Sequence, residues 1–264
     1  MLELKNIYKT FNAGSVNEKS ALSGVNLYLE PGDFVTVIGG NGAGKSTLLN
    51  IIAGAFPMDQ GSITLDGTKI SKSREHERAK LIGRVFQDPM MGTAASMTIE
   101  ENLSMALRRG QKRSLRWGIN KIEQEIYRDH LAQLDLGLEN RLKSKVGLLS
   151  GGQRQALTLL MATISSPKLL LLDEHSAALD PKTAAKVLEL TQKIIHTHNL
   201  TTLMVTHNMR DALKFGNRTI MMHEGRIILD LKARDKKKTG VEDLLKMFER
   251  ASGDSLANDR MLLA

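Results

Sequence analysis

Apolar residues follow two patterns along this chain, and the patterns predict an alternation of strands and helices. Four consecutive leucines at residues 169–172 have no polar alternation, which is typical of a parallel strand covered on both faces. Residues 34–38 and 201–207 are also largely apolar and predict two further strands. Residues 45–56 and 181–197 instead show the periodicity of a helix. The order of these segments predicts an α/β fold built on βαβ units.

Two dipeptides mark tight turns, and a helical stretch separates them. Asp66-Gly67 lies between apolar-alternating arms, which is a strong signal for a β-hairpin, and a second hairpin is expected to turn at Glu224-Gly225. Strand signals dominate up to the first hairpin and fade between about residues 90 and 165, where helical patterns replace them. After lysines at 236–238, residues 241–251 predict a short amphipathic helix, and we expect the last dozen or so residues to be loosely ordered.

Composition excludes several classes of protein and leaves the partner open. The chain has 264 residues, of which 41% are hydrophobic, and no apolar run approaches the length that spans a bilayer. Its start lacks the apolar core of a signal peptide, and the absence of cysteine excludes disulfides, thiolate catalysis and cysteine–zinc sites. A net charge of +8 admits nucleic acid, a membrane surface or an anionic ligand. The five basic residues within 108–116 fit a permease or headgroup contact, or a solvated helix face or loop.

A glycine-rich segment at residues 39–47 has the spacing of a phosphate-binding loop, G-x-x-x-x-G-K-[ST], between a predicted strand and a predicted helix. Glycine lets backbone N–H groups curl around phosphate oxygens, and the helix N-terminus adds partial positive charge. Lys45 supplies a charge for the β- and γ-phosphates, and the Ser46 hydroxyl is a suitable Mg²⁺ ligand. The residues expected to bind the nucleotide here are Gly39, Gly40, Asn41, Gly42, Ala43, Gly44, Lys45, Ser46 and Thr47.

Two adjacent acids, Asp173 and Glu174, directly follow the leucine run. In phosphate-loop folds a second strand ends beside the loop with an Asp that helps to hold Mg²⁺. We assign Asp173 to the metal and Glu174 to the proton of an attacking water, so the pair favours hydrolysis over simple nucleotide binding. Taken alone, the two acids fit a solvated loop start or a helix cap equally well.

A second candidate anion site lies at residues 150–153. Ser150 and Gln153 have the spacing of a capping box, with Gly151 and Gly152 between them, so a helix is expected to begin here. Because helix N-termini bind anions, two copies of the chain could hold ATP between the loop of one and this helix end of the other. A helix cap without a ligand is the alternative.

In chain order, the loop at 39–47, the LSGGQ segment at 149–153, LLLLDE with SAALD at 169–180, and Thr206-His207 resemble the ATP-binding-cassette (ABC) ATPases. The resemblance covers residues 1–235. It implies a P-loop NTPase (RecA-like) core, an N-terminal antiparallel β subdomain and an inserted α-helical subdomain at about 88–165. Residues 236–264 would then be a basic linker, a short C-terminal helix and a tail.

The resemblance also assigns roles to four further residues. Phe11 looks like the aromatic residue that stacks on adenine, although a core phenylalanine is the alternative and Tyr8 is a rival. Gln87 resembles the glutamine that touches Mg²⁺ and the attacking water. Asp180 looks like the acid of the loop that crosses the dimer, and His207 like the switch histidine that contacts the γ-phosphate.

The chain departs from the family pattern in two places. His175, Ser176 and Ala177 follow the acid pair where Pro-Thr-Ser is common, and we expect His175 to face solvent. The helix after the LSGGQ segment reads ALTLLMAT, without the usual Ala-Arg-Ala. His196 and His198 are expected at a solvated helix end and not at a metal site.

The resemblance implies an ATP-hydrolysing, nucleotide-binding subunit of an ABC transporter with ATP and Mg²⁺ as cofactors. Expected partners are separate membrane permease subunits docked near Gln87, a second copy or a paralogue of this chain, and an extracellular solute-binding protein. The expected location is the cytoplasmic face of the cell membrane. The length of the chain and its sequence at residues 174–180 resemble those of subunits that serve branched-chain-amino-acid-type permeases. A small solute such as an amino acid is therefore the expected cargo.

Two other classes of function fit the sequence less well. A soluble ABC ATPase acting on nucleic acid or ribosomes fits the basic charge, but such proteins usually have tandem cassettes or a long coiled-coil insertion. No direct nucleic-acid contact is therefore expected, also because aromatic residues are only 4% of the chain. A nucleotide sensor without hydrolysis conflicts with the presence of Asp173, Glu174 and His207.

Overall fold

The computed structural model describes residues 1–111 and 118–252. Residues 112–116 of the basic run and the tail expected to be loosely ordered lie outside the described residues. Contacts between residues divide the described chain into two units. The first unit comprises Met1–Arg78 and the described residues from Asn199 onward, and the second comprises Ala79–His198.

The strands, in chain order, are β1 (Leu2–Phe11), β2 (Lys19–Leu29), β3 (Phe34–Ile38), β4 (Gln60–Leu65), β5 (Thr68–Lys69), β6 (Ile82–Val85), β7 (Leu169–Asp173), β8 (Thr202–Val205), β9 (Arg218–His223) and β10 (Arg226–Leu231). The α-helices are α1 (Lys45–Ala53), α2 (Glu75–Arg78), α3 (Ile99–Leu107), α4 (Lys121–Ala132), α5 (Gly151–Thr163), α6 (Pro181–Thr197), α7 (Met209–Lys214), α8 (Ala233–Lys236) and α9 (Val241–Ser252). Short 3-10 helices span Leu138–Asn140 and Val146–Leu148. None of the helices within residues 1–111 and 118–252 combines the length and hydrophobicity needed to cross a bilayer.

An antiparallel sheet forms the N-terminal part of the first unit, in the order β2-β1-β4-β5. Its strands alternate between buried and exposed positions, so that Leu2, Leu4 and Leu27 lie in the core. The β4–β5 hairpin turns at Asp66 and Gly67, which have φ of 51° and 77°. Positive φ at both turn residues is the geometry that Asp-Gly favours, and the predicted hairpin is confirmed.

Strands β3, β8, β9 and β10 of the first unit place two candidate site segments at one edge of their sheet. β3 lies between β8 and β9 and runs parallel to both, and β9 pairs antiparallel with β10 across the predicted turn at Glu224-Gly225. Val37 of β3 is in register with Val205 of β8. Because parallel strands end at the same edge, the loop after β3 and the segment after β8 emerge together.

In the second unit, β6 and β7 are parallel and carry the other candidate side chains. Val85 is in register with Leu172, so Gln87 and the acid pair follow the two strands at the same edge. The four leucines of β7 are fully buried, as the continuous apolar run predicts. Helix α5 is buried along Gln155–Thr163, so its position in the core accounts for the apolar ALTLLMAT sequence.

Contacts between residues group the elements into units that are not the predicted domains. Within the described part of 88–165 lie α3, α4 and α5 with one isolated bridge between Thr98 and Lys145, but the contact division also gives β6, β7 and α6 to this unit. Helix α9 belongs to the first unit, where Leu244 and Phe248 share a buried cluster with Ile38 at the end of β3. The inserted subdomain remains a prediction.

Candidate nucleotide-binding and hydrolysis site

The loop at 39–47 has a backbone that requires glycine at specific positions. Gly39 and Gly44 have φ of 150° and 98°. A Cβ at Gly39 would lie 2.2 Å from the carbonyl oxygen of Met222, and one at Gly44 would lie 2.5 Å from that of Ala21. Because backbone atoms block both positions, only glycine lets the loop pack against the neighbouring chain.

Lys45 is the first residue of α1, and its ammonium group lies inside the loop. The side chain is buried, and Nζ donates to the carbonyl oxygens of Gly39 at 2.7 Å and Gly40 at 3.0 Å. The N-cap of α1 is Gly44, which has no side chain, and the first turn contains no acidic residue. The partial positive charge of the helix N-terminus and the lysine therefore face the same loop, a suitable environment for an anion.

Phe11, at the end of β1, is only partly buried and is not a core residue. Its ring packs edge-to-face against Phe56 with ring centroids 5.5 Å apart, and Lys9 Nζ lies 5.5 Å from its centroid. The rival Tyr8 is also exposed, at 42% of its surface. Both aromatics are accessible, and stacking on adenine stays a prediction for Phe11.

His207 follows β8 in a turn that Asn208 fixes. The Asn208 side-chain oxygen accepts from the backbone N–H groups of Arg210 and Asp211 at the start of α7. The backbone N–H of Asn208 donates to Thr206 Oγ1 at 3.1 Å. Burial raises the pKa of Asp211, while Lys214 and His207 oppose that shift. The Asn208 cap was missed by sequence reasoning, although an Asn just before a short helix is a recognised N-cap signal.

Asp173 and Glu174 lie at the carboxyl end of β7, as predicted. Glu174 has φ of 43°, in the left-handed region, and its carbonyl oxygen accepts from the Ala177 N–H at 2.9 Å. Asp173 lies 3.9 Å from Nη2 of Arg84, a contact between two largely buried side chains. Arg84 was not singled out from the sequence, although a charge within the otherwise apolar strand β6 marks it.

Gln87 follows β6 and is exposed. The adjacent Phe86 carbonyl oxygen accepts from Nε2 of Gln155, a fully buried residue of α5, at 3.3 Å. Arg154, also of α5, contacts the sulfur of Met90. The segment that contains Gln87 is therefore linked to the helix that begins after Ser150.

Ser150 and Gln153 form the predicted capping box at the start of α5. Ser150 Oγ accepts from the Gln153 N–H at 3.3 Å, and Gln153 Oε1 accepts from the Ser150 N–H at 3.2 Å. A Cβ at Gly152 would clash with Thr183 at 2.2 Å, whereas one at Gly151 would meet only a Leu179 methyl group at 3.2 Å. The helix cap is confirmed, and its ligand role remains a prediction.

Asp180 caps α6, and its side chain accepts from the Thr183 N–H at 3.1 Å, with Pro181 at the first helical position. Hydrogen bonds with Thr183 hold the pKa of this carboxyl below its usual value. Asp180 thus stabilises a helix end. A role across a dimer stays a prediction.

His175 is buried, and the expectation that it faces solvent is wrong. Its side chain is 2% exposed, and its Nε2 lies 3.0 Å from Thr191 Oγ1 on α6. Burial lowers its pKa to about 4. The expectation failed because Thr191 is distant in sequence and only the fold brings α6 over the turn.

The remaining candidates give mixed results. His196 and His198 are exposed at the end of α6, as expected, and the described residues contain no group of three His, Cys, Asp or Glu suited to a metal ion. Arg108 is paired with Glu123 at 2.8 Å, and burial lowers the pKa of Arg109. These two basic residues are partly engaged within the fold.

Comparison with known proteins identifies the family. Residues 22–177 match the family model described as ABC transporter, and the chain belongs to this family. It is an ATP-hydrolysing, nucleotide-binding subunit of an ABC transporter, so it binds ATP, dimerises and works with membrane permeases. The predicted fold class, an α/β P-loop NTPase fold with an antiparallel and a parallel sheet, is confirmed.

The chain is 48% identical over 256 residues to a tyrosine transport ATP-binding protein of Clostridioides difficile, covering 95% of this chain and all of that protein. It is 33% identical to the methionine import ATP-binding protein MetN 2 of Enterococcus faecalis, covering 96% of this chain and 71% of that protein. A dimeric ATP-binding cassette solved in a post-hydrolysis state with ADP and phosphate is 30% identical, with a TM-score of 0.75, and covers 89% of this chain and 99% of that one. The alternative of a nucleic-acid or ribosome ATPase gains no support from these relatives.

Proposed function

We propose that this subunit drives the import of an amino acid, with tyrosine as the first candidate. The support is the 48% identity to a tyrosine transport ATP-binding protein along that protein's full length. An extracellular solute-binding protein would deliver the amino acid to separate permease subunits, and this chain would act on them from the cytoplasmic face of the membrane. The resemblance to branched-chain-amino-acid systems is retained as a competing assignment of cargo.

For ATP binding, we assign the phosphates to the loop at 39–47 and the adenine to Phe11. The Lys45 ammonium, which now donates to two carbonyl oxygens of its own loop, would exchange those contacts for β- and γ-phosphate oxygens. Charge-assisted hydrogen bonds to phosphate are stronger than those to a neutral carbonyl, so the exchange favours binding. The phenyl ring of Phe11 is partly accessible and packs edge-to-face with Phe56.

For hydrolysis, we assign the proton-accepting role to Glu174. The observation that carries this assignment is that β6 and β7 are parallel and end at the same edge of the sheet, where Gln87 and the acid pair follow them. A carboxylate at such an edge can accept a proton from water, and Gln87 can orient that water through its amide. His207, fixed by the Asn208 cap in the first unit, is assigned to the γ-phosphate.

The residues assigned to Mg²⁺ fit this ion by their chemistry. Ser46, Gln87 and Asp173 offer a hydroxyl, an amide and a carboxylate oxygen, the hard donors that Mg²⁺ prefers. Few protein ligands are needed, because Mg²⁺ keeps several waters and binds the nucleotide phosphates as well. When bound, the ion supplies positive charge that offsets the developing negative charge on the phosphates.

For the dimer, we assign Ser150, Gly151, Gly152 and Gln153 of one copy to the γ-phosphate held by the other. The support is that this helix end is exposed at Ser150 and Gly151 and carries no acid in its first turn. Asp180, which caps α6, is assigned to the segment that crosses to the partner copy.

For coupling, we assign the Gln87 segment to the permease contact. The hydrogen bond from Gln155 to Phe86 ties this segment to α5, the helix that begins after Ser150. A shift of the segment would therefore reach the γ-phosphate contact of the dimer. Gln87→Ala should lower transport-coupled ATPase activity more than ATP affinity in proteoliposomes, and unchanged coupled turnover would contradict the assignment.

Amide substitutions of the two acids test the assignment of hydrolysis. Glu174→Gln keeps the size of the side chain but removes the base, so ATP should bind while single-turnover hydrolysis falls by about 10²–10⁴-fold. The protein should then accumulate as an ATP-bound dimer in size-exclusion chromatography with Mg-ATP. Asp173→Asn should weaken nucleotide retention and Mg²⁺ dependence together, without that dimer.

Two results would contradict the roles assigned to the two acids. Near-normal hydrolysis by Glu174→Gln would refute the base assignment, and identical behaviour of the two variants would show that the roles are divided wrongly.

The cargo is tested separately, by uptake of tyrosine, leucine and thiamine into proteoliposomes that contain the complete transporter. Uptake of leucine in preference to tyrosine would overturn the proposed cargo.

A further inference from the structure

His175, the residue after the proposed catalytic base, makes a buried contact with α6, which begins at Pro181. His175 directly follows Glu174, and its imidazole Nε2 lies 3.0 Å from the hydroxyl oxygen of Thr191 on α6. The two side chains are 2% and 1% exposed. Water is therefore excluded from this contact, and the two polar groups satisfy each other.

The hydrogen bonds of Thr191 determine which group donates. Its hydroxyl has a single proton, which it donates to the carbonyl oxygen of Val187 at 2.7 Å, one turn earlier in α6. Thr191 Oγ1 must therefore accept from His175, so the proton of the imidazole is on Nε2. The imidazole then forms a directional connection between the turn after β7 and the interior face of α6.

The position of this connection matters because of the backbone at Glu174. This residue has φ of 43°, a left-handed conformation that non-glycine residues adopt only when the surroundings enforce it. On one side, β7 holds the turn through its pairing with β6. On the other side, the Ala177 N–H donates to the Glu174 carbonyl at 2.9 Å, and His175 lies between these two anchors.

We propose that His175 is a positioning residue for ATP hydrolysis: through Thr191 it fixes the turn that aims the Glu174 carboxylate at the attacking water. The inference rests on the base assignment made under Proposed function. A histidine that only filled space would be replaceable by an apolar side chain of similar size. The buried N–H bond to α6 gives this imidazole a directional role as well.

Three substitutions test the contact from both sides. His175→Leu removes the N–H donor, and Thr191→Val removes the acceptor; each should lower kcat by about 10-fold, because small displacements of a catalytic group are costly. The KM for ATP should change less than about twofold, because the nucleotide contacts are assigned to other residues. His175→Gln, which can place an N–H close to the position of Nε2, should recover kcat to within about threefold of the unchanged protein.

A matched control separates positioning from general loss of packing. Thr163 in α5 is also a buried threonine, and its hydroxyl donates to the carbonyls of Leu159 and Leu160 in its own helix. Thr163→Val should leave kcat unchanged, with all assays run well below the measured melting temperatures. If His175→Leu does not fold, Thr191→Val and His175→Gln still decide the question.

The decisive measurement uses Glu174→Gln as a background. If His175 acts through Glu174, adding His175→Leu to Glu174→Gln should lower single-turnover hydrolysis less than about twofold further. A further fall of about 10-fold in that background would overturn the positioning role while leaving the base assignment intact. Near-normal hydrolysis by Glu174→Gln alone would instead overturn the base assignment and the inference built on it. An unchanged kcat in both His175→Leu and Thr191→Val would also overturn the inference.

Discussion

The chain has two glycine-rich helix N-termini assigned to phosphate, and they are built in opposite ways. Helix α1 begins after Gly44, a glycine at φ 98° that offers no capping side chain, and its first residue is the buried Lys45. Helix α5 begins after Ser150, an extended residue at φ −63° whose side chain forms a complete capping box with Gln153. The N-terminus of α1 therefore contains a cation, whereas the N-terminus of α5 contains side-chain oxygens that accept hydrogen bonds from its own backbone.

Because of this difference, the two helix ends depend to different degrees on a second copy of the chain for phosphate binding. The loop before α1 already concentrates positive charge from the lysine and the helix terminus, so it can bind phosphate within one copy of the chain. The start of α5 is satisfied as a helix cap, and its glycines add no charge. We infer that α5 contributes to ATP binding only as a second contact, after the loop of a partner copy has bound the nucleotide.

The largest expected effect comes from removing the cation of the first end. Lys45→Ala should lower ATP hydrolysis by at least about 10²–10³-fold, because a charge aimed at the phosphates is lost in a partly buried site. Steady-state hydrolysis and nucleotide affinity with Mg-ATP measure the loss. Lys69→Ala, at an exposed residue of the β4–β5 hairpin, is the control and should have little effect. More than a third of normal activity in Lys45→Ala would contradict the comparison.

Glycine is also required for different reasons at the two ends. Gly44→Ala should reduce the free energy of unfolding by about 2–4 kcal/mol, since the φ of 98° disfavours alanine and the new Cβ would lie 2.5 Å from the Ala21 carbonyl oxygen. Urea denaturation at fixed temperature measures this loss. A stability equal to that of the unchanged protein would show that the loop can relax, and would remove the structural reason for this glycine.

Features set by neighbouring residues could be predicted from the sequence. The capping box of Ser150 depends on a spacing of three residues, and the turn at Asp66-Gly67 depends on the positive φ that this pair favours. The burial of β7 followed from its unbroken run of leucines. For the capping box and the turn, the interaction partners lie within a few residues, and for β7 the apolar run itself indicates burial whatever packs against it, so the local sequence contains the necessary information.

Features set by distant residues could not be predicted in this way. His175 lies beside polar and small residues and looks solvated, but α6 carries Thr191 over it. Arg84 meets Asp173 only because β6 and β7 pair in a particular register. Lys236 belongs to a run of lysines predicted as the start of a basic linker, yet it is buried and its ammonium donates to the Phe215 carbonyl. The long methylene stem of lysine makes such burial possible.

At the second end, the glycine should matter for the dimer and not for the fold. Gly151→Ala meets only a Leu179 methyl group at 3.2 Å, so stability should change by less than about 0.5–1 kcal/mol. ATP-driven dimerisation should weaken by about 10-fold, because a methyl group would stand where the partner's phosphate approaches. Gly118→Ala, with no atom within 4 Å of its Cβ, is the control. Loss of stability without loss of dimerisation would reverse this assignment.

The smallest expected effect separates the cap of α5 from its ligand contact. Ser150→Ala removes the Oγ acceptor of the capping box and should lower the free energy of unfolding by about 1 kcal/mol. Thr98 forms an equivalent capping box with Glu101 at the start of α3, so Thr98→Ala should lower stability by a similar amount. The two variants therefore match in what they do to a helix end.

They should differ in ATP-driven dimerisation, which is assigned to Ser150 alone. Sedimentation of the Glu174→Gln background with Mg-ATP should show a dimer weakened about 3–10-fold by Ser150→Ala and unchanged by Thr98→Ala, since the net loss of one hydrogen bond is worth about that factor. Ser150→Thr should keep both properties, because threonine also caps helices and retains the hydroxyl. Equal dimerisation in the Ser150→Ala and Thr98→Ala variants would mean that the start of α5 is a helix cap and nothing more.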